Sequence, residues 1–225
     1  MQYYLNGFRP GDPADFRDKE APVPIPPLVN LPETADVLIV GCGPAGLVLA
    51  AQLSRFPGIR TRIVEQKPGP LMMGQADGIA SRSLEIFQSF GFAERVLKEA
   101  HYLGAITFWQ HDAEKPENII RATKKPDGRN GFSEFPHVVL NQARVHHFLL
   151  DVMRKSPAQV VPDYCRRVQQ LEISDPDDDY PVSVTIERTD PSHAGEPEVI
   201  SARYVVGCDG ARSTVRQQLG LDMRG

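Results

Sequence analysis

Val37 to Val40 is an unbroken apolar run, the pattern of a strand buried on both faces. Leu47, Val48, Leu49, Ala50, Ala51 and Leu53 follow with the spacing of a helix packed on that strand. Phe56-Pro57-Gly58 ends the helix, and Arg60-Thr61-Arg62-Ile63-Val64 predicts a second strand that stops at Glu65. A glycine- and proline-containing loop covers Lys67 to Ile79. Ser81 begins a helical pattern through Leu84, Phe87 and Phe90 that Gly91 breaks, and a second short helix runs to about Ala100. Ala105 to His111 and Asn118 to Ala122 read as strands of a hairpin-like excursion, joined by the polar Asp112 to Glu117 and followed by a loop from Lys124 to Gly131. Phe108 and Trp109 are assigned to the packed face of that excursion.

Val138-Val139-Leu140 predicts a short strand, and Asn141 caps a helix whose Val145, Phe148, Leu149 and Val152 fall at i, i+3, i+4 and i+7. His146-His147, in the middle of that helix, is expected to face solvent. Gln159 to Pro162, Arg167 to Ile173, Val182 to Arg188 and Val199 to Ala202 read as strands, split by the solvated breaks Asp175 to Asp179 and Asp190 to Pro197. Tyr204-Val205-Val206 is again apolar and β-rich, and a helix ending at Gly220 follows. Ahead of the first strand, Pro10, Pro13, Pro22, Pro24, Pro26, Pro27 and Pro32 forbid regular helix and make residues 1–34 an arm. That arm is read equally as a loose tail or as a segment that packs Tyr3, Tyr4, Leu5 and Phe8 on the body or on a partner subunit.

The turn between the first strand and its helix adds chemistry to this pattern. Gly41-Cys42-Gly43-Pro44-Ala45-Gly46 has the G-x-G-x-x-G spacing at which dinucleotides dock. Gly41 permits the tight turn, Gly43 lets the backbone approach a pyrophosphate, and Gly46 allows close packing of helix on strand, with phosphates facing the helix N-terminal amides. Glu65 lies nineteen residues beyond Gly46, where an acid can hydrogen-bond ribose hydroxyls and disfavours a ribose phosphate.

Length and composition narrow the class. At 225 residues with 41% hydrophobic and 24% charged residues, the chain has the profile of a soluble globular protein of one or two domains. No apolar stretch approaches a bilayer span and no charged-then-apolar leader opens the chain, so a cytoplasmic protein without membrane contact is expected. Cys42, Cys165 and Cys208 are odd in number, far apart and without metal-type pairing, which argues against a disulfide framework or a metal site and for small buried apolar residues. A net charge of −4 with scattered Lys and Arg gives no electrostatic footprint for nucleic acid.

An NAD dehydrogenase continues its first βαβ unit with alternating strands and helices, whereas this chain inserts a hairpin and a meander before returning to a buried strand. That order, together with Gly207-Cys208-Asp209-Gly210-Ala211-Arg212-Ser213 and Arg216, resembles the single-component flavin aromatic hydroxylases of the p-hydroxybenzoate hydroxylase fold class, over residues 35 to 220. The loop Gly74-Gln75-Ala76-Asp77-Gly78 and the segment Leu140-Asn141-Gln142-Ala143-Arg144 look like its phenol 2-monooxygenase and 3-hydroxybenzoate 4-monooxygenase branch. The opening Leu5-Asn6-Gly7-Phe8-Arg9-Pro10-Gly11 also looks like the latter. The resemblance implies an α/β fold: a Rossmann-like FAD-binding domain with a mainly parallel sheet, a β-meander and part of an inserted substrate-domain sheet. Residues 1–34 would be the arm and 35–225 the N-terminal part of the FAD-binding domain, with 101–137 contributing to the substrate domain.

By this resemblance Gly41, Gly43, Pro44, Ala45 and Gly46 hold the FAD pyrophosphate, and Glu65 holds the adenosine ribose. Gln66 and Lys67 are read equally as adenosine-side contacts or as an exposed polar turn. Gln75 and Gln142 match positions that contact the flavin chain. Asp209 matches the Asp-Gly motif that touches the pyrophosphate side and affects NADPH use; its other reading is a turn before a helix capped by Ser213. Arg212 and Arg216 are read equally as fold-stabilising cations or as contacts for NADPH phosphates. Asp77 matches the acid that approaches the substrate hydroxyl and promotes the phenolate, and His137 a position near the substrate pocket, the alternative being a turn acid and a satisfied core or edge histidine. A phenol near pKa ~10 and an Asp near ~3.9 differ by ~6 units, so direct proton transfer would cost on the order of 8 kcal/mol. Asp77 therefore orients the phenol or passes its proton onward.

The activity implied is FAD-dependent hydroxylation of a phenolic compound of 3-hydroxybenzoate or phenol type, with NADPH and dioxygen as co-substrates. A homo-oligomer is expected at full length. Members of the resembled family run for hundreds of residues beyond this segment, so the chain is expected to be an N-terminal piece, inactive alone. A flavin or nicotinamide oxidoreductase acting on a non-aromatic substrate, or a non-catalytic nucleotide-binding module, would share the glycine turn and Asp209 without needing Asp77.

Overall fold

The computed structural model describes residues 30–126, 133–175 and 177–223. Most of the proline-rich arm and the end of the Lys124 to Gly131 loop lie outside the described residues. In chain order the elements are β1 (Thr34–Val40), α1 (Pro44–Leu53), β2 (Thr61–Val64), β3 (Gly78–Ile79), α2 (Ser81–Ser89), α3 (Ala93–Glu99), β4 (His101–Tyr102), β5 (Ala105–His111), β6 (Ile119–Pro126), β7 (Val138–Val139), α4 (Gln142–Lys155), β8 (Arg166–Ile173), β9 (Val182–Arg188), β10 (Pro197–Gly207) and α5 (Thr214–Gln218). They divide into two compact units, one formed by Met72–Val145 and the other by the described residues up to Leu71 and from His146 onward.

The second of these units is built on a five-stranded sheet in the order β2-β1-β10-β9-β8. β1 is parallel to both neighbours, as the unbroken apolar run of Val37 to Val40 requires, and β9 and β8 extend the sheet antiparallel as the meander. The apolar core beneath it joins Leu38, Val64, Val184, Ile186, Ile200 and Val215. Leu47, Ala50 and Ala51 of α1 are fully buried. Two ion pairs brace the meander: Arg166 with Glu198 and Arg188 with Asp190, each at 2.9 Å. The arm's last residues are held there too, Leu31 donating to Glu198 Oε1 at 3.1 Å and Arg188 to Asn30 Oδ1 at 3.2 Å.

In the unit formed by Met72–Val145, β3, β7 and β4 make a small antiparallel sheet, and β5 and β6 pair as a separate ribbon. α2 and α3 bury Leu84, Phe87, Ala93 and Val96, with the Phe87 and Phe92 rings stacked 4.8 Å apart. Among the described residues no helix is long and apolar enough to cross a membrane.

Several expectations are corrected. The segments Val199 to Ala202 and Tyr204 to Val206 are one strand, because β10 pairs antiparallel with β9 through Ala202 and parallel with β1 from Ser201 to Gly207. Gln159 to Pro162 forms no strand: Gln159 has φ 45°, proline lacks an amide hydrogen, and a single bridge joins the adjoining Asp163 to Val64. Lys124 and Lys125 belong to β6, paired with Thr107 and Ile106, rather than to a loop. Gly78 and Ile79 pair with β7 at the end of what was expected to be loop. Phe108 and Trp109 are exposed, because the two-stranded ribbon has no packed layer over them among the described residues. Cys42 and Cys165 are buried as expected, whereas Cys208 is only half-buried.

α4 begins as its sequence predicts, with the Asn141 side chain accepting from the Ala143 amide at 2.9 Å. It is buried well beyond the expected stripe, and His146 is 6% exposed instead of facing solvent. Burial, assisted by His147 and Lys67, lowers the His146 pKa to about 4. Its Nε2 lies 3.5 Å from the Leu71 amide, the geometry of a neutral ring. Because this folded-state value lies below that of an unfolded histidine, neutral His146 contributes stability above pH ~6.5 that is lost as pH falls through about 4, on the order of 3 kcal/mol in all. Denaturant unfolding from pH 7 to pH 4 is expected to give a shallower stability loss for His146→Leu than for the wild type, and identical slopes would remove His146 from the acid response.

Candidate functional site

The glycine turn is fixed from two sides. Gly41 has φ +102°, and a Cβ there would lie 2.6 Å from the Cys208 carbonyl oxygen. The Gly41 amide donates to the Val64 carbonyl and the Cys208 amide to the Val40 carbonyl, both at 2.8 Å, so β1 and β10 deliver their turns side by side. Gly46 is tighter still, since a Cβ would lie 2.0 Å from the Gly41 carbonyl oxygen. Gly43 is different. Its Cβ would meet only the Cys208 carbonyl, at 3.8 Å.

α1 starts at this turn with Pro44 in its first turn, no side-chain cap and no acidic first-turn residue. No side chain caps its N-terminal amides, and the positive end of its dipole lies at the glycine turn, a disposition suited to an anion. Glu65, at the end of β2, accepts from the Cys42 amide at 2.8 Å and from the Lys67 amide at 3.0 Å. The acid expected at the ribose thus stands against the turn expected at the pyrophosphate. Burial, followed by the charges of Glu65 and Asp163, raises the Cys42 thiol well above its usual range, which leaves it an inert packing residue. Gln66 and Lys67 are exposed, their carbonyls accepting from Thr189 and Cys165.

Asp209 follows β10. One carboxylate oxygen accepts from Ser213 Oγ at 2.6 Å, the other from the Thr214 amide at 2.6 Å and the Val215 amide at 3.3 Å. Ser213 accepts from the Arg216 amide at 3.0 Å, so Asp209 and Ser213 together cap α5. Arg216 donates to the Ala211 carbonyl at 2.9 Å, and Arg212 is exposed.

In the unit formed by Met72–Val145, Gln75, Asp77 and Gln142 come together. Gln142 Oε1 accepts from the Gln75 amide at 2.9 Å, and the Gln142 amide lies 3.3 Å from Asp77 Oδ1. The Leu140 amide donates to the Asp77 carbonyl at 2.8 Å. A Cβ on Gly74 would sit 2.4 Å from Gln142 Cβ, so loop and helix meet without a gap. Asp77 is half-buried at the N-terminus of α4. His137 is not beside it. Gly78 faces Val139, a register that sets Asp77 opposite Leu140 and His137 opposite Ala80, three residues and about 10 Å along the strand. His137 is half-buried, and its carbonyl accepts from the Leu103 amide at 3.1 Å. Arg144 also forms a buried pair with Glu99 at 2.6 Å, which no local pattern marks because the two residues lie 45 positions apart.

The FAD binding domain family model matches residues 34–225. The chain belongs to this family. It is 54% identical over its whole length to 3-hydroxybenzoate 4-monooxygenase of Comamonas testosteroni, of which it covers 35%. Among solved structures it is similar to the flavin-dependent monooxygenase PieE in complex with FAD and substrate, at 27% identity and a TM-score of 0.68 over 85% of this chain and 33% of that one. It is also similar to p-nitrophenol 4-monooxygenase PnpA from Pseudomonas putida DLL-E4, at 26% identity and a TM-score of 0.68 over 86% and 46%. The chain thus spans about a third of the first of these relatives.

The turn fits the family's cofactor on its own geometry: helix amides without a side-chain cap, suited to a pyrophosphate, an open face at Gly43 and a carboxylate at the end of β2. Two glycine substitutions separate folding from binding. Gly46→Ala forces a clash with backbone and should cost more than about 3 kcal/mol of stability. Gly43→Ala should unfold within about two degrees of the wild type yet bind FAD at least about tenfold more weakly. Thermal unfolding and quenching of flavin fluorescence measure both, and unaltered FAD affinity in Gly43→Ala would place the pyrophosphate elsewhere.

Proposed function

We propose that this chain is the N-terminal portion of an FAD-dependent monooxygenase that hydroxylates a phenolic ring of the 3-hydroxybenzoate or phenol type with NADPH and dioxygen. The observation that carries the reading is 54% identity along the entire chain to a 3-hydroxybenzoate 4-monooxygenase. The placement of Asp77 supports it. In the balanced reaction one atom of dioxygen enters a ring C–H bond and the other leaves as water, while NADPH and a proton supply the two electrons and two protons required. Bound FAD supplies the redox chemistry that activates dioxygen.

The protein's part is to bind and to orient. Gly41, Gly43, Pro44, Ala45 and Gly46 would hold the pyrophosphate, Glu65 the ribose hydroxyls, and Gln66 and Lys67 the adenosine side. Gln75 and Gln142, already bonded to one another, would hold the flavin chain, and Asp209 would set the turn after β10 on the pyrophosphate side. Asp77 would accept a hydrogen bond from the phenol hydroxyl through the carboxylate lone pairs that the Gln142 amide leaves available. It would stabilise developing phenolate character by passing the proton onward, since the gap of ~6 pKa units opposes keeping it. His137 would contribute to the pocket from the position just before β7. Residues 101–137 would belong to the substrate domain and 35–225 to the FAD-binding domain, in a cytoplasmic homo-oligomer.

In the full-length, FAD-loaded enzyme Asp77→Ala is expected to lower the hydroxylation rate by about 10² or more while FAD affinity stays within twofold. Stopped-flow detection of hydroxylated product checks this, and a wild-type rate would sink the role of Asp77.

A further inference from the structure

We propose that Glu99 and Arg144 are a positioning pair for the loop that carries Asp77. Arg144 Nε donates to Glu99 Oε2 and Arg144 Nη2 to Glu99 Oε1, both at 2.6 Å, a two-pronged contact. The Arg144 side chain is wholly buried and that of Glu99 is 5% exposed. The inference rests on the reading of Asp77 as a substrate-orienting acid.

Each partner stands at the wrong end of its helix. Glu99 is the last residue of α3, where the helix dipole is negative, and Arg144 lies in the first turn of α4, where it is positive. The remaining charges obey the dipoles: Glu94 opens α3 with Lys98 in its last turn, and Arg154 and Lys155 close α4. Burial is a second opposing effect, since two charges leave water to form the pair. Helix stability does not account for these two placements. What they accomplish is to tie the end of α3 to the opening turn of α4.

That opening turn is the one that holds the loop. Gln142, two residues before Arg144, takes the Gln75 amide on its side chain, offers its own amide to Asp77, and presses its Cβ against Gly74. A helix turn free to tilt by a fraction of an ångström would carry all three contacts with it. Small displacements of an orienting group lower rates steeply. Glu99 and Arg144 touch neither cofactor nor substrate on this reading, and act through Gln142.

Replacing the pair by apolar side chains removes the tie without leaving a lone buried charge, so Glu99→Leu with Arg144→Met in the full-length, FAD-loaded enzyme is the primary test. Hydrogen exchange read at the Gln75 and Gln142 amides, the ratio of hydroxylated product to NADPH consumed, and kcat against KM for 3-hydroxybenzoate are measured together. The expected result is a folded protein with exchange at least about tenfold faster at both amides, a lower product ratio and a fall in kcat rather than a rise in KM. Arg144→Lys, which keeps the charge and loses the two-pronged geometry, is expected to show the same changes more weakly, and it carries the test if the double variant does not fold. Wild-type exchange and product ratio in whichever variant folds would overturn the proposal. Exchange at Gln75 reports positioning whatever Asp77→Ala does to catalysis, so failure of this inference and failure of the assigned chemistry are distinguishable.

Discussion

Everything in the sheet-bearing unit depends on how closely the backbone can approach itself at one point. The space between Gly46 and the Gly41 carbonyl is too small for any side-chain atom, and the space between Gly41 and the Cys208 carbonyl is hardly larger. That contact brings α1 onto β1 and aligns the end of β10 beside the end of β1. The first turn of α1 carries no side-chain cap. The packing therefore requires glycine at Gly41 and Gly46, while Gly43 between them meets no backbone closely and leaves that part of the turn open. Glu65 joins the same arrangement by accepting the Cys42 amide, so the end of β2 is registered to the turn by a hydrogen bond as well as by strand pairing.

Elements with a single environment were legible in the sequence. In the Val37 to Val40 run the adjacent Leu38 and Ile39 are both fully buried, and Ser213 and Asn141 sit at helix starts that suit their side chains. Illegible elements were those whose environment changes along their length or is set by distant residues. β10 exchanges an antiparallel partner for a parallel one at Ser201 and Ala202. Arg203 breaks its apolar pattern while stacking over the Tyr180 ring at 5.3 Å, so one strand reads as two. Val160 and Val161 have the composition of a strand, but the positive φ at Gln159 and the missing amide of Pro162 prevent a ladder. His146 reads as polar, and only the packing around α4 makes it part of the interior.

The same distinction holds for the site. Gly41 to Gly46 is legible in its spacing, because a turn of this geometry leaves no room for a side chain at Gly41 or Gly46. Asp77 and Gln142 lie 65 residues apart, and only antiparallel pairing of β3 with β7 brings them within reach of each other. Family resemblance marked both; local pattern marked neither. Asp209 carries a double load. The capping of α5 occupies both of its oxygens, so its carboxylate shapes the turn whatever else meets it.

The ribbon of β5 and β6 has an optical consequence. Trp109 is the single tryptophan of the chain and stands 63% exposed on that ribbon. Its emission belongs to an indole largely in water, and its wavelength reports whatever later covers the ribbon. The melting of the five-stranded sheet, by contrast, would pass almost unseen in tryptophan fluorescence and must be followed through the backbone's own circular dichroism.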